Sequence, residues 1–236
     1  MTRHFGVLIP STNTTVEMES RLLPISYQAH FGRLGSASGQ TFTPSRDEDI
    51  EYQSRLLRTA RVELVILAQT SASLFAEDYD DRVTRRMHAA AGVTATTSAQ
   101  VVGRAARALG VHRVAIVSPY SDDVNRRAAT YFQAKHGLEI IAVEGFRATD
   151  AYAIGQIEPE VARAAFARLN QPAIEAFLVP GGNFATMTAT RGWEQEFGKP
   201  VVTTNNASFW AMLRAFDDPG GSLLEFGRLL AELPAD

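Results

Sequence analysis

A short apolar run that ends in small polar residues occurs twice in this chain, and the repetition limits what it can fold into. The first copy is Leu64-Val65-Ile66-Leu67-Ala68, followed by Gln69-Thr70-Ser71. The second is Ala176-Phe177-Leu178-Val179-Pro180, followed by Gly181-Gly182-Asn183. Unbroken apolar runs of this length, with little polar alternation, read as parallel strands buried on both faces. Aligned on the run and its preceding glutamate, Gln69 falls opposite Gly181. In open α/β sheets, ligands bind just outside the carboxyl ends of the strands. Both polar tails are therefore candidates for one binding cleft.

Two further segments repeat in the same order. Phe5-Gly6-Val7-Leu8-Ile9-Pro10-Ser11 is echoed by Val114-Ala115-Ile116-Val117-Ser118-Pro119-Tyr120. Val93-Thr94-Ala95-Thr96-Thr97-Ser98-Ala99 is echoed by Pro200-Val201-Val202-Thr203-Thr204-Asn205-Asn206, which sets Thr97 against Thr204. Three matched strand-to-loop junctions imply an internal duplication. The expected fold is α/β, with two pseudo-symmetric Rossmann-like halves facing across a cleft. Residues 1–94 with 205–236 are assigned to the first half and 95–204 to the second.

Composition removes several alternatives. The 236 residues, 45% hydrophobic and 21% charged, suit a globular protein. A formal net charge of −3 without a dense basic patch argues against nucleic acid as partner. No apolar run approaches the length of a membrane span. The strand beginning at His4 leaves no room for a signal peptide, so a cytoplasmic location is the default. With no cysteine, disulfides, thiolate metal sites and cysteine nucleophiles are excluded.

The elements are expected as follows. A strand over 4–10 leads through Ser11-Thr12-Asn13-Thr14-Thr15 into a helix over 16–23, whose Glu17 and Glu19 complement its dipole. The hydroxyl and amide run either caps that helix or also receives a carboxylate. A strand over 29–35 precedes a Gly/Ser/Thr-rich loop, 36–44, expected to be a mobile lid. A helix over 47–60 points Ile50, Leu56 and Leu57 inward. The central strand, 62–68, is followed by a charged, solvated helix over 77–91, with His88 on the surface. A strand over 93–97 and a helix over 98–109 end the first series. The second series is a strand over 112–117, a helix over 124–135, a strand over 139–143, a loop over 149–155 and a helix over 159–169. It continues with strands over 176–179 and 200–203, helices over 191–197 and 206–215, and a closing helix over 223–233. Strands alternating with helices indicate parallel α/β layers.

The motifs narrow the chemistry. There is no phosphate loop and no G-x-G-x-x-G after a strand, so a nucleotide cofactor has no support. The five histidines are scattered without H-E-x-x-H, so no catalytic zinc is expected. No G-x-S-x-G elbow is present for a serine hydrolase. What remains is a cleft of Thr, Ser, Asn, Tyr, Gln and Gly backbone. Such neutral donors can hold a carboxylate and stabilise an enolate-like charge, but they supply no strong base.

Pro10-Ser11-Thr12-Asn13-Thr14-Thr15-Val16-Glu17 resembles the first-strand signature of maleate cis-trans isomerases. Gln69-Thr70-Ser71-Ala72-Ser73, Ser118-Pro119-Tyr120 and the stretch Lys199 to Trp210 resemble the same family. Arylmalonate decarboxylases, within the aspartate/glutamate racemase superfamily, share the pattern. The resemblance implies two four-stranded parallel halves, the site between them, and a closing helix that returns to the first half. It also implies cofactor-independent chemistry on a small carboxylic or dicarboxylic acid. These enzymes usually carry a cysteine at the end of the central strand of one or both halves. Here the catalytic positions hold Gln69 and Gly181, and neither side chain titrates near neutrality. The isomerase pattern also has an asparagine where this chain has Ala151.

The resemblance keeps a carboxylate pocket of Pro10, Ser11, Asn13, Thr70, Ser71, Gly182 and Asn183, with Tyr120 as a catalytic candidate. Decarboxylation fits best, because its first step needs charge stabilisation and no base. Protonation would come from Tyr120, Asp122, Asp150 or water, although Asp122 and Asp123 also suit helix capping. A thiol-based racemase or isomerase route is excluded. The alternatives are an inactive carboxylate-binding member, in which Gly181→Cys would restore a trace of decarboxylation, or a lyase or hydrolase using another acid/base from 147–156. Homo-oligomerisation stays open.

Overall fold

The two buried runs become the centre strands of two sheets in a computed structural model that describes residues 2–38, 42–221 and 223–236. In the first sheet, β1 (Arg3–Pro10), β2 (Tyr27–Leu34), β3 (Leu64–Leu67) and β4 (Thr94–Thr97) are ordered β2-β1-β3-β4. In the second, β5 (Arg113–Ser118), β6 (Glu139–Gly145), β7 (Ala176–Val179) and β8 (Val201–Thr203) are ordered β6-β5-β7-β8. Every pairing is parallel. All residues of β3 and β7 are buried, as unalternating apolar runs require.

Register makes the duplication concrete. Val7 pairs with Ile66 in the first sheet, and Ile116 pairs with Leu178 in the second. Gln69 thus answers Gly181, and Pro10 answers Pro119. The third echo needs a correction by one residue. Ile66 pairs with Thr96 while Leu178 pairs with Val202, so Thr97 answers Thr203 and not Thr204. Both threonines cap the helix that follows, α4 (Ser98–Ala108) and α8 (Thr204–Ala215). Each closes a reciprocal capping box, with Gln100 in one half and Asn206 in the other. The Thr-Thr doublet in each copy left the register ambiguous, and the cap resolves it.

Helices depart from expectation where a tertiary partner intervenes. The helix α2 (Asp47–Thr59) buries Ile50, Ser54 and Leu57 along one stripe, whereas Leu56 lies off it and is 45% exposed. The first helix, α1 (Val16–Ser20), stops short of Leu23, because the residue before Pro24 is biased out of helical backbone. The helix after β5, α5 (Asp122–His136), starts two residues early, capped by Ser121. The expected closing helix is broken at Gly227, whose φ of +103° is left-handed, into a 3₁₀ turn at Leu224–Phe226 and α9 (Arg228–Glu232). These pieces pack on α8, within the segment assigned to the first half, and on α7 (Met187–Phe197) of the second. Phe216 makes the return contact, stacking on Tyr27. α6 (Pro159–Leu169) falls where expected.

Two buried carboxylates tie the halves together. Glu19, at the end of α1, is 3% exposed. Its Oε1 accepts from Thr186 N (2.6 Å) and Met187 N (2.8 Å), and its Oε2 from Asn205 Nδ2 (2.5 Å). It therefore caps α7 in the other half, which is why α7 begins four residues before the expected Arg191. Burial raises its pKa, and the two N–H donors and Asn205 partly offset the rise. Asp80, in α3 (Tyr79–Ala91), is the counterpart. It was expected on a solvated face but is buried, accepting from Ser73 Oγ (2.6 Å), Thr97 Oγ1 (2.8 Å) and, across the halves, Tyr131 Oη (2.5 Å). His88 is exposed, as expected.

The core follows the same plan. One cluster runs continuously through both halves and includes Trp210; a second lies between the first sheet and α2–α3. Among the described residues no helix is long and apolar enough to cross a membrane. The ring of His136 at the end of α5 presses on Gly103 of α4, where any Cβ would come within 2.2 Å of it. Its Nε2 is buried without a partner among the described residues.

Two outcomes follow. Glu19→Ala strands two helix N–H groups and the Asn205 amide, and should cost about 3 kcal/mol of stability in urea denaturation. Burial, with Arg107 and Arg104 nearby, pushes His136 down to about 4. The unfolded chain then binds more protons between about pH 6.5 and 4, so stability should fall as pH drops through that window. Thermal melts of His136→Gln should show a shallower acid slope than wild type; an unchanged slope would refute the assignment.

Candidate functional site

The carboxyl ends of the four inner strands open into one cavity. Pro10 ends β1, Ala68-Gln69 follow β3, Pro119-Tyr120 follow β5 and Pro180-Gly181 follow β7. The cavity holds about 320 Å³, and it is lined by Gln69, Tyr120, Gly181 and every residue of the expected carboxylate pocket, from Pro10 to Asn183. Leu34, Phe42, Tyr152 and Ile154 add apolar wall. Among the described residues of the lining, Asp150 is the single formally charged side chain, with no Lys, Arg or His. An anion here would be held by neutral dipoles. Among the described residues no His, Asp or Glu cluster could hold a metal ion.

The amides of the site are largely committed to the fold. Asn13 Oδ1 accepts from Thr15 N (3.0 Å) and Val16 N (2.9 Å), capping α1, so only its N–H groups can serve a ligand. Asn183 acts as a rivet: its Oδ1 accepts from Thr14 N (2.7 Å) and its Nδ2 donates to Ala151 O (2.8 Å). Thr15 Oγ1 donates to Asn183 O (2.7 Å). The loops 11–15, 149–155 and 181–184 are thereby locked together. Gly182 is held through its carbonyl by Asn205 Nδ2 (3.1 Å), the same amide that reaches Glu19. Ser11 sits where the loop leaves β1, its N–H donating to Leu34 O (2.8 Å).

Hydroxyls meet at the boundary between the halves. Thr70 opens a 3₁₀ turn, Thr70–Leu74, in which Ser71 is also buried. Ala72 N closes that turn on Gln69 O (3.0 Å), leaving the N–H groups of Thr70 and Ser71 ahead of it. Thr70 Oγ1 lies 2.8 Å from Ser98 Oγ and 3.2 Å from Thr204 Oγ1, the first residues of the two symmetry-related helices. Thr204 Oγ1 accepts in turn from Gly181 N (2.9 Å). Tyr120 is buried, with Thr70 beside its hydroxyl. Burial raises the phenol well above its usual range, and the Thr70 contact only partly opposes this. Tyr120 therefore stays protonated as a donor.

Of the two positions expected to be catalytic, Gln69 and Gly181, neither presents a free reactive group. Gln69 is 7% exposed and its amide is occupied by the segment 43–45. Gly181 has φ +134°, and a Cβ there would stand 2.8 Å from Pro119 Cγ and 3.7 Å from Tyr120 Oη. A thiol at 181 would need the turn or Pro119 to move, which counts against simple restoration by Gly181→Cys. Asp122 is exposed, paired with Arg147 at 3.0 Å and absent from the lining. Asp150 accepts from Ala153 N (2.8 Å), capping a 3₁₀ turn at Ala153–Gln156. Sequence reasoning missed Phe42, Thr43 and Ser45 as lining residues. The loop was legible as a cover, but its contacts arise from a long-range amide. Residues 39–41 of that expected lid lie outside the described residues.

Fold and site define a duplicated α/β protein with a cavity of small-ligand size between its halves. The chain belongs to the arylmalonate decarboxylase family, whose model matches residues 5–229. It is 27% identical to an arylmalonate decarboxylase of Bordetella bronchiseptica, covering 96% of both chains. A maleate isomerase of Nocardia farcinica is 25% identical over 92% of this chain and 91% of its own. A crystal structure of arylmalonate decarboxylase superposes with a TM-score of 0.83 at 25% identity, over 97% of this chain and 99% of the other. The relatives are decarboxylases and isomerases, and the chain falls in the isomerase or carboxy-lyase class.

Gly181→Ala should be destabilising by about 1–3 kcal/mol, combining a left-handed backbone with the Pro119 contact. Urea titration checks this, with Gly192→Ala as control, since a Cβ there meets nothing within 4 Å.

Proposed function

We propose that the protein is a cofactor-independent enzyme acting on a small carboxylic or dicarboxylic acid, and that decarboxylation is its reaction. The observation that carries this is the lining itself: converging neutral donors, one protonated buried tyrosine, and no enclosed base or thiol. Loss of carbon dioxide from a malonate-type acid needs no base in its first step. It leaves an enolate-like charge that donors in a shielded cavity stabilise. Thr70, Ser71 and Asn13 hold one carboxylate in this reading, with Gly182 and Tyr120 facing the developing charge. The apolar wall of Leu34, Phe42 and Ile154 suits a substituent on the central carbon. Isomerisation through a thiol adduct has no residue to perform it. Because the Tyr120 phenol is a reluctant acid, it donates a hydrogen bond, and water delivers the final proton.

A second reading, a member that binds the acid without turnover, draws on the Gly181 geometry, which leaves no acid/base at the family's position. The two readings separate on Tyr120→Phe and Thr70→Ala. A hydrogen bond to a charged acceptor contributes about 1.5–3 kcal/mol, so each variant should weaken dicarboxylate binding roughly tenfold or more. If the protein turns substrate over, Tyr120→Phe should also lower kcat, since the hydroxyl serves the transition state more than the bound acid. Calorimetric titration with maleate, malonate and phenylmalonate, alongside product detection, decides. Unchanged affinity in both variants for every acid that binds would remove the pocket; binding without consumption by wild type would leave the binder.

A further inference from the structure

Gln69 stands where the family carries a thiol or a glycine, and its amide is engaged in an unusual way. Its Nε2 donates to Thr43 O (3.0 Å) and its Oε1 accepts from Ser45 N (3.2 Å). One side chain thus pairs with a carbonyl and an N–H two residues apart, as a neighbouring strand would. Glutamate offers two acceptors and cannot serve the Thr43 carbonyl; a thiol cannot span both. The held segment is folded back on itself by a bridge between Ser36 and Ser45 and by Ala37 N donating to Pro44 O (3.4 Å). Phe42 adopts φ +68°, unfavourable for a residue with a Cβ, while its ring packs edge-on to Tyr120 at 5.3 Å. Something must hold that backbone in place.

Ser45 carries the second observation. It lines the cavity and is 4% exposed, yet its Oγ is buried with no hydrogen-bond partner among the described residues. Buried hydroxyls in native proteins are almost always paired, so an orphan on a residue of the cavity wall, which a turn about χ1 can redirect, marks a contact that a ligand completes.

We propose that Gln69 is a positioning residue that latches Phe42–Ser45 over the cavity, and that the latched segment presents the Ser45 hydroxyl as a donor to an oxygen of the bound acid. The Ser45 contact rests on the reading of the cavity as a carboxylic-acid site; the latch does not. The position thereby sets the shape of the site and carries no titrating group.

Amide hydrogen exchange and calorimetry test the two parts separately. In Gln69→Ala and in Gln69→Met, which keeps the bulk, the Ser45 amide should exchange at least tenfold faster than in wild type. In Ser45→Ala the residue-45 amide should keep its wild-type rate. An unchanged rate in both Gln69 variants overturns the latch. With phenylmalonate or malonate as probe, Ser45→Ala should raise Kd roughly tenfold, matching one hydrogen bond to a charged acceptor. In a Gln69→Met background the same change should raise it less than about twofold, because an unlatched Ser45 no longer reaches the ligand. Equal losses in both backgrounds, or none in either, overturn the presented hydroxyl. If wild type binds neither acid, the acid-site reading and the Ser45 contact fall together, while the exchange rates still judge the latch.

Discussion

The Glu19 carboxylate is the contact on which the cleft depends. It leaves the first half, caps a helix of the second and fixes Asn205, whose amide in turn holds the carbonyl of Gly182 at the cavity wall. A buried carboxylate with three donors is costly to remove, because each donor is left unpaired in the interior. Asp80 and Tyr131 make the corresponding crossing on the other side, with the acid now on the third-strand helix and its partner on the first-strand helix. The duplicated halves are therefore cross-linked by polar contacts that are related in position but not in chemistry. Apolar packing alone would tolerate sliding of one half on the other; directional hydrogen bonds specify one relative placement.

Much of this was legible before any coordinates. The apolar runs at Leu64 and Ala176 set the parallel sheets, and their glutamate-anchored alignment placed Gln69 opposite Gly181. The loops after Pro10, Gln69, Pro119 and Gly181 meet as expected, because parallel topology forces equivalent strand ends to one edge. The failures have a common cause. The start of α7, the burial of Asp80 and the employment of Gln69 are each decided by a partner far along the chain, and local pattern carries no trace of it. The one-residue slip at Thr97 is different: a doublet of threonines is degenerate until the capping box selects one. Gly227 ended the closing helix through a backbone conformation that a Leu-rich stretch on both sides concealed.

The relation to the family is one of kept framework and altered wall. Decarboxylases and isomerases of this class share the fold at TM-scores of 0.83 and 0.85 in solved structures. In this chain the wall at Gly181 is narrowed by Pro119, and the wall at Gln69 is given over to the covering segment. Apart from Asp150, the described polar groups of this cavity are neutral, so holding an anion there would depend on enclosure. Opening it to water would weaken every dipole in it at once.

The hydroxyls of Ser98, Thr70 and Thr204 form a row across the pseudo-twofold boundary. Each carries one hydrogen and two lone pairs, and each hydrogen can rotate. Gly181 N–H is a fixed donor into Thr204, so the Thr204 proton is free to point along the row toward Thr70. When Thr70 receives it, its own proton turns toward Ser98 or Tyr120; when Thr70 gives instead, the whole row reverses. The row can thus exchange an acceptor for a donor at Thr70 with no heavy atom moving. Thr70 is the member of the row that reaches the cavity wall, so a proton turned at Ser98 or Thr204 is felt there through Thr70.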